Sequence, residues 1–278
     1  FPQEAIRAFE YAVSIWESLI TSPVPIKVLA KWEEIDGNVL ALSRPETFHV
    51  DFDGVPFSNI YYPVALAEKL SGKDINNGAP DIICRFNSKY SWYFGTDGNT
   101  PVTQYDFVSS VLHEITHGLG VSGFLEDNGE VGFFDNSNNL PSIYDYYIFN
   151  AQNQQISDKS IFNSPSADLH KQLTSDELKF FEPNENRGQG ETVDWIYAPS
   201  SWNDGASIYH MKGSGYDNGL MTPYANKGEA IHNPGENVIR ILSELGWKSV
   251  TFDFTALKDI EEAQAEIPVQ IALLSDED

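Results

Sequence analysis

Cysteine is nearly missing from this chain: Cys84 stands alone among 278 residues, so no internal disulfide can form and cysteine usage is silent about the redox compartment. Methionine occurs only twice, as Met211 and Met221. Positive charge is scarce as well. Seventeen Lys and Arg stand against 41 Asp and Glu, a net charge of −24, which repels phosphate backbones and anionic lipid surfaces. Nucleic acid is therefore not an expected partner, and solubility or salt tolerance accounts for the acidity. No apolar run approaches the ~18 residues that would suggest a membrane span, so membrane insertion is not expected either.

With 41% hydrophobic and 13% aromatic residues the chain is neither disordered nor fibrous, and its length allows one sizeable domain or two smaller lobes. Apolar residues at Ile6, Phe9, Val13, Trp16 and Ile20 recur every three or four positions, which predicts a helix from Pro2 to Ile20, ended by Pro23 and Pro25. "PIKVLAKWEEI" alternates Ile26, Val28 and Ala30 with more polar neighbours and reads as a strand, while "YPVALAEKLSG" reads as a short helix stopped at Gly72. "PDIICRFNS" is a second strand, with Cys84 as a small core residue. Residues 121 to 235 are rich in Asn, Gly, Ser and Tyr, so loops and short elements are expected there. "GENVIRILSELGW" then restores a helical period through Val238, Ile241, Leu242 and Leu245. Acidic clusters at Asp51 and Asp53, and from Asp97 to Asn99, have the make-up of calcium loops and equally of ordinary turns.

The densest chemistry lies in "SSVLHEITHGLGVSGF", residues 109 to 124. A helix is predicted from about Thr103, with Thr103 and Asp106 as a capping pair, to Gly118 or Gly120. Residues four apart lie one above the other on a helix. His113 and His117 can thus present two imidazole nitrogens to one ion, while Glu114 reaches the water bound to that ion without being a ligand. A zinc ion with three protein ligands keeps a position open, lowers the pKa of bound water towards about 7 and polarises a carbonyl. Glu114 can take the proton of that water and pass it to a leaving amine. Those roles describe peptide-bond hydrolysis. Two surface histidines on an ordinary helix would give the same five letters, but here apolar residues interleave the motif and "HGLG" stops the helix just after the second histidine.

That early stop resembles the metzincin family of zinc peptidases, in which the chain turns sharply after the glycine, a loop supplies the third ligand and a methionine turn underlies the metal. The common metzincin spacing implies a histidine or aspartate at position 123, and this chain has Gly123. Downstream, "YHMKGSGYDNGLMTPY" is similar to the leishmanolysin-like branch, where a long insertion precedes the third histidine and an LM-x-P turn follows. The resemblance implies His210 as third ligand, 210 − 117 = 93 residues beyond His117, and Met221 in "GLMTP" as the turn methionine. His49, His170, His232, Glu126 and Asp127 compete for the third position. Tyr224, three past Met221, is either a transition-state stabiliser or a packing residue. "FPQEAIRAFEYAVSIWESLITSPVPIKV" and "LSELGW" resemble a group of secreted bacterial metallopeptidases, so the likeness extends over residues 1 to about 255. It also implies that "DIICRFN" is the edge strand to which an extended substrate peptide adds.

The expected fold is α+β of the metzincin, or zincin, type. A twisted mixed sheet with helices forms an upper lobe of residues 1 to about 120, a loop-rich lower lobe with a C-terminal helix runs to about 256, and zinc lies in the cleft between them. Residues 257–278 are expected to be a linker or the start of a further module. The expected function is that of a secreted zinc endopeptidase acting on protein or peptide substrates, with Zn2+ held by His113, His117 and His210, Glu114 as general base, and structural Ca2+ as a candidate second cofactor. "FPQEAI", without an initial methionine, fits a mature fragment freed of a signal peptide and equally a trimmed chain. The alternatives are a metal-stabilised binding or adhesion module without turnover, and a zinc peptidase whose third ligand is a glutamate from a helix at "SDELKFFE", residues 175–182.

Overall fold

The computed structural model describes residues 1–180, 194–213, 219–247 and 271–274, and over these the chain is a mixed α+β structure. Its first half holds α1 (Gln3–Leu19), β1 (Ile26–Glu33), β2 (Ala41–Pro45), β3 (Phe48–Val50), β4 (Tyr61–Pro63), α2 (Val64–Ser71), β5 (Ile82–Asn87), β6 (Trp92–Tyr93), β7 (Tyr105–Asp106) and α3 (Phe107–Leu119). Shorter pieces follow: β8 (Leu125–Asp127), β9 (Gly132–Phe134), α4 (Ile143–Tyr146), β10 (Ile148–Phe149), α5 (Ala167–Leu173), β11 (Lys179–Phe180) and β12 (Asp194–Trp195). The last elements are α6 (Gly235–Leu245) and β13 (Ile271–Leu274). Among the described residues no helix is long and apolar enough to cross a membrane.

The main sheet has the order β13-β1-β5-β2, with β1 parallel to both neighbours and β2 antiparallel to β5. Alternate residues of a strand share a face, and Ile26, Val28 and Ala30 of β1 and Ile82, Cys84 and Phe86 of β5 are buried. α3 packs on β2 and β5 with α1 alongside. Alanines at 5, 8 and 12 keep the buried stripe of α1 thin, while Phe9, Val13 and Trp16 fill it. Phe107, the first residue of α3, meets Phe86 at 4.9 Å and Trp92 at 5.4 Å between ring centroids, contacts of about 0.5–1.5 kcal/mol each beyond the area they bury.

Two glycines after the second motif histidine set how α3 lies. A β-carbon at Gly118 would fall 2.3 Å from Ile82 Cγ2, so the helix backbone rests directly on β5. Gly120, at φ 138°, ends the helix and leaves room for Leu245 of α6. Trp247 then donates its indole N–H to Leu119 O at 2.8 Å, satisfying one of the carbonyls that a helix end leaves open.

Several expectations change. α3 starts at Phe107, because Thr103 lies in a turn closed by Gln104 N to Pro101 O (2.9 Å). Asp106 alone caps it, accepting from Ser109 N and Oγ at 2.7 Å each. β5 is an interior strand, since β2 covers its outer side and, among the described residues, ends the sheet there. The segment at 175–182 is no helix in its described part: Lys179–Phe180 forms β11 between β10 and β12, and residues 181–182 lie outside the described residues. The boundary near 256 also lies outside them. Within the stretch expected to be a linker, Ile271–Leu274 pairs in parallel with β1.

Alanine is ordinarily the better helix residue than glycine by about 1 kcal/mol. At Gly118 the sign should reverse: Gly118→Ala is expected to destabilise by about 1–3 kcal/mol in urea unfolding, through overpacking against Ile82. Parent-like or higher stability would show that α3 does not press on β5.

Candidate metal centre

Three segments converge on one point. α3 carries His113 and His117 on successive turns. His210 arrives on a segment whose backbone is held on both sides, by Tyr197 N to His210 O (2.8 Å) and Met211 N to Met221 O (2.7 Å). His113 Nε2 then lies 3.1 Å from His117 Nε2 and 3.2 Å from His210 Nε2. Among the described residues these three are the one group of His, Cys, Asp or Glu side chains gathered closely enough to share an ion, with nitrogens within 4.8 Å of one another.

On each ring the other nitrogen faces a backbone carbonyl: His113 Nδ1 meets Leu220 O at 2.7 Å, His117 Nδ1 meets Val121 O at 2.8 Å, and His210 Nδ1 meets Ala206 O at 2.8 Å. A carbonyl only accepts, so Nδ1 carries the proton and Nε2 presents a lone pair. Burial keeps the rings uncharged. It is the first cause that takes His210 down to about 3 and His117 well below the usual histidine value, with neighbouring imidazoles second, and it lowers His113 too. Lone pairs thus meet with no proton between them, an arrangement suited to a cation. Tetrahedral zinc, with bonds of about 2.0–2.1 Å to nitrogen, separates its ligands by roughly 3.3–3.4 Å, close to the two separations above.

Glu114 is 6% exposed, and burial alone pushes its carboxyl up to about 8, with no hydrogen bond from the described residues to offset it. A cleft of about 710 Å³ opens on His113, Glu114 and His210 and is walled by Leu42 of the edge strand β2, Tyr105 and Tyr224. Met221 is buried, and its turn acts on the cluster through backbone: Leu220 O holds His113 while Met221 O holds Met211. Tyr224 is 61% exposed, with its hydroxyl 3.2 Å from that of Tyr197 and accepting from Asn203 Nδ2 at 3.0 Å.

The competing ligands lie elsewhere. His49 pairs with the Thr47 hydroxyl (3.0 Å), His170 with the Asp127 carboxylate (2.7 Å) and His232 with the Asp106 carboxylate (2.9 Å). Glu126 sits half-buried on β8, its carboxyl raised by burial and then by Asp204 and nearby acids. Asp51 and Asp97 accept from the backbone N–H groups of Asn59 and Asn99, and Asp53 pairs with Lys73. These are turn and surface contacts, and none of these acids joins a metal-capable group among the described residues.

Position 123 has a reason to be glycine. A β-carbon there would fall 2.4 Å from Asp145 Oδ1 and 2.5 Å from Ser142 Oγ. Asp145 is fully buried and forms a capping box with Ser142 at the start of α4. Burial raises its carboxyl to about 6 against the lowering effect of hydrogen bonds from the Phe124 and Ser142 amides. The S-x-x-D spacing of Ser142 and Asp145 is a recognisable cap signal, but nothing local ties it to Gly123.

Residues 58–165 match the SPBPB7E8-like family. That span holds His113, Glu114, His117, Gly123 and Asp145 and stops short of His210. No curated protein and no solved structure matches the chain.

Gly123→Asp, which supplies the carboxylate of the common metzincin spacing, is expected to lower stability by about 1–3 kcal/mol through overpacking against Asp145 and Ser142. A stable Gly123→Asp protein that keeps metal after a further His210→Ala change would show that position 123 can reach the cluster.

Proposed function

We propose that the chain is a zinc-dependent endopeptidase of metzincin type, of the leishmanolysin-like branch, with His113, His117 and His210 as ligands and Glu114 as general base. The observation that carries this is the convergence of three imidazoles that burial keeps uncharged beside the buried carboxyl group of Glu114, which takes no hydrogen bond from the described residues. Zinc held there supplies a Lewis acid and a water of lowered pKa. The carbonyls of Leu220, Val121 and Ala206 keep the three rings aimed. Glu114 accepts a proton from the attacking water and returns it to the leaving nitrogen as the C–N bond breaks. An extended peptide pairs with β2, the edge strand beside the cleft among the described residues, which takes over the role expected of β5. Tyr224 is the phenol assigned to the developing oxyanion, since it borders the same cleft.

A binding module without turnover would hold the same metal and leave Glu114 idle. Glu114→Gln should therefore keep bound zinc while casein hydrolysis falls by about 10²–10⁴-fold. His210→Ala should lose zinc and hydrolysis together, and His170→Ala, His232→Ala and Glu126→Ala should keep zinc through dialysis. Hydrolysis undiminished in Glu114→Gln removes it as the base. A zinc-loaded parent that cleaves neither casein nor gelatin leaves the binding module.

A further inference from the structure

We infer that Asp145 and Tyr209 are the positioning pair of the third imidazole: the carboxylate occupies the space where a side chain at 123 would begin, and through the Tyr209 hydroxyl it places His210 instead. The inference rests on the metal-site part of the proposal above and is independent of peptidase turnover.

Asp145 is 0% exposed and joins two parts of the chain. Its Oδ2 accepts from Phe124 N at 2.9 Å and Ser142 N at 2.8 Å, which holds the loop leaving the motif helix. Its Oδ1 accepts from the Tyr209 hydroxyl at 3.1 Å. The same hydroxyl accepts from Leu125 N at 2.6 Å, so it sits between the post-motif loop and the carboxylate. The other oxygen in reach of its proton is Leu125 O at 3.3 Å, and a charged acceptor is the stronger partner.

Tyr209 immediately precedes His210, and the backbone before it is unusual. Ile208 has φ 73°, a left-handed conformation that a β-branched residue rarely adopts and that persists only where surrounding contacts over-determine it. Those contacts are present. Ile208 N donates to Tyr197 O at 2.8 Å, and the Tyr144 hydroxyl donates to Ile208 O at 3.2 Å. Tyr144 and Asp145 are neighbours in the single turn of α4, so that turn grips residues 208 and 209 in succession. Gly123 completes the arrangement by leaving the carboxylate room.

The test compares zinc affinity, by chelator competition, with the cobalt(II) spectrum and the melting of metal-free protein in the parent, Tyr209→Phe and Asp145→Asn. Tyr209→Phe removes one hydroxyl. It should weaken zinc binding about tenfold or more, as loss of an orienting contact behind a ligand does, and should alter the cobalt ligand-field bands; Leu125 N and Asp145 lose a partner, so metal-free melting falls as well, but by less than the loss in zinc affinity. In Asp145→Asn the amide oxygen can take both backbone N–H groups and the amide nitrogen can donate to the Tyr209 hydroxyl, so affinity should stay near the parent. Unchanged zinc affinity and cobalt spectrum in Tyr209→Phe overturn the inference. So does a fall in affinity matched by an equal loss of metal-free stability, which marks the pair as structural only. A parent that binds neither zinc nor cobalt ends the metal-site reading and this inference together. A parent that binds zinc but hydrolyses nothing ends the peptidase reading alone.

Discussion

Neutral imidazoles turned lone pair to lone pair repel one another, and the surroundings of His113, His117 and His210 hold them there regardless. The restraint comes from carbonyl oxygens on three separate segments, those of Leu220, Val121 and Ala206. Each fixes a ring through its protonated nitrogen and so decides where the unprotonated one points. Repulsion of this kind is a cost carried by the fold, and a cation at the focus would relieve it without rearranging the rings. A cation bound there would find its three nitrogens already in place, which reduces the ordering cost of binding.

The position of α3 underlies that geometry, and distant chain fixes both of its ends. Asp106, at the start, accepts from the Thr100 hydroxyl (2.7 Å), from Ser109 and from His232 Nε2 (2.9 Å). Ile231 N donates to Ser109 Oγ at 2.7 Å, so the segment after Met221 is tied to the first turn of α3. At the other end Trp247 reaches Leu119 O. Between them Gly118 presses the helix onto Ile82, and Phe107 is locked among Phe86, Trp92 and Trp32.

Local patterns were legible in the sequence where one element's own periodicity decided the outcome. The buried stripe of α1, the alternation in β1, the glycine stop of α2 at Gly72 and the face of α6 all follow from spacing alone. Readings that depended on partners did not transfer. Whether β5 is an edge depends on where β2 lies, and β11 exists because β10 and β12 flank it. The start of α3 moved from Thr103 because β7 keeps Tyr105 and Asp106 extended beside β6. At the candidate site His113 and His117 were visible from their spacing, whereas His210 was reachable only through resemblance. The cap spacing of Ser142 and Asp145 is a local signal, but nothing in it points to Tyr209, 64 positions further on.

The long reach of these contacts sets an order of events during synthesis. A chain grown to His117 holds two of the three imidazoles, and His210 appears 93 residues later. The carbonyl that orients His113 arrives only with Leu220, and the indole that closes α3 lies 128 residues past Leu119. Contacts separated this far form late, because the entropy of closing the intervening loop must be overcome first. A chain that stops before residue 220 lacks the carbonyl that orients His113, and with it α6, the Trp247 indole that closes α3 and the β13 strand beside β1, so the cluster and its support are completed by the same late stretch of chain.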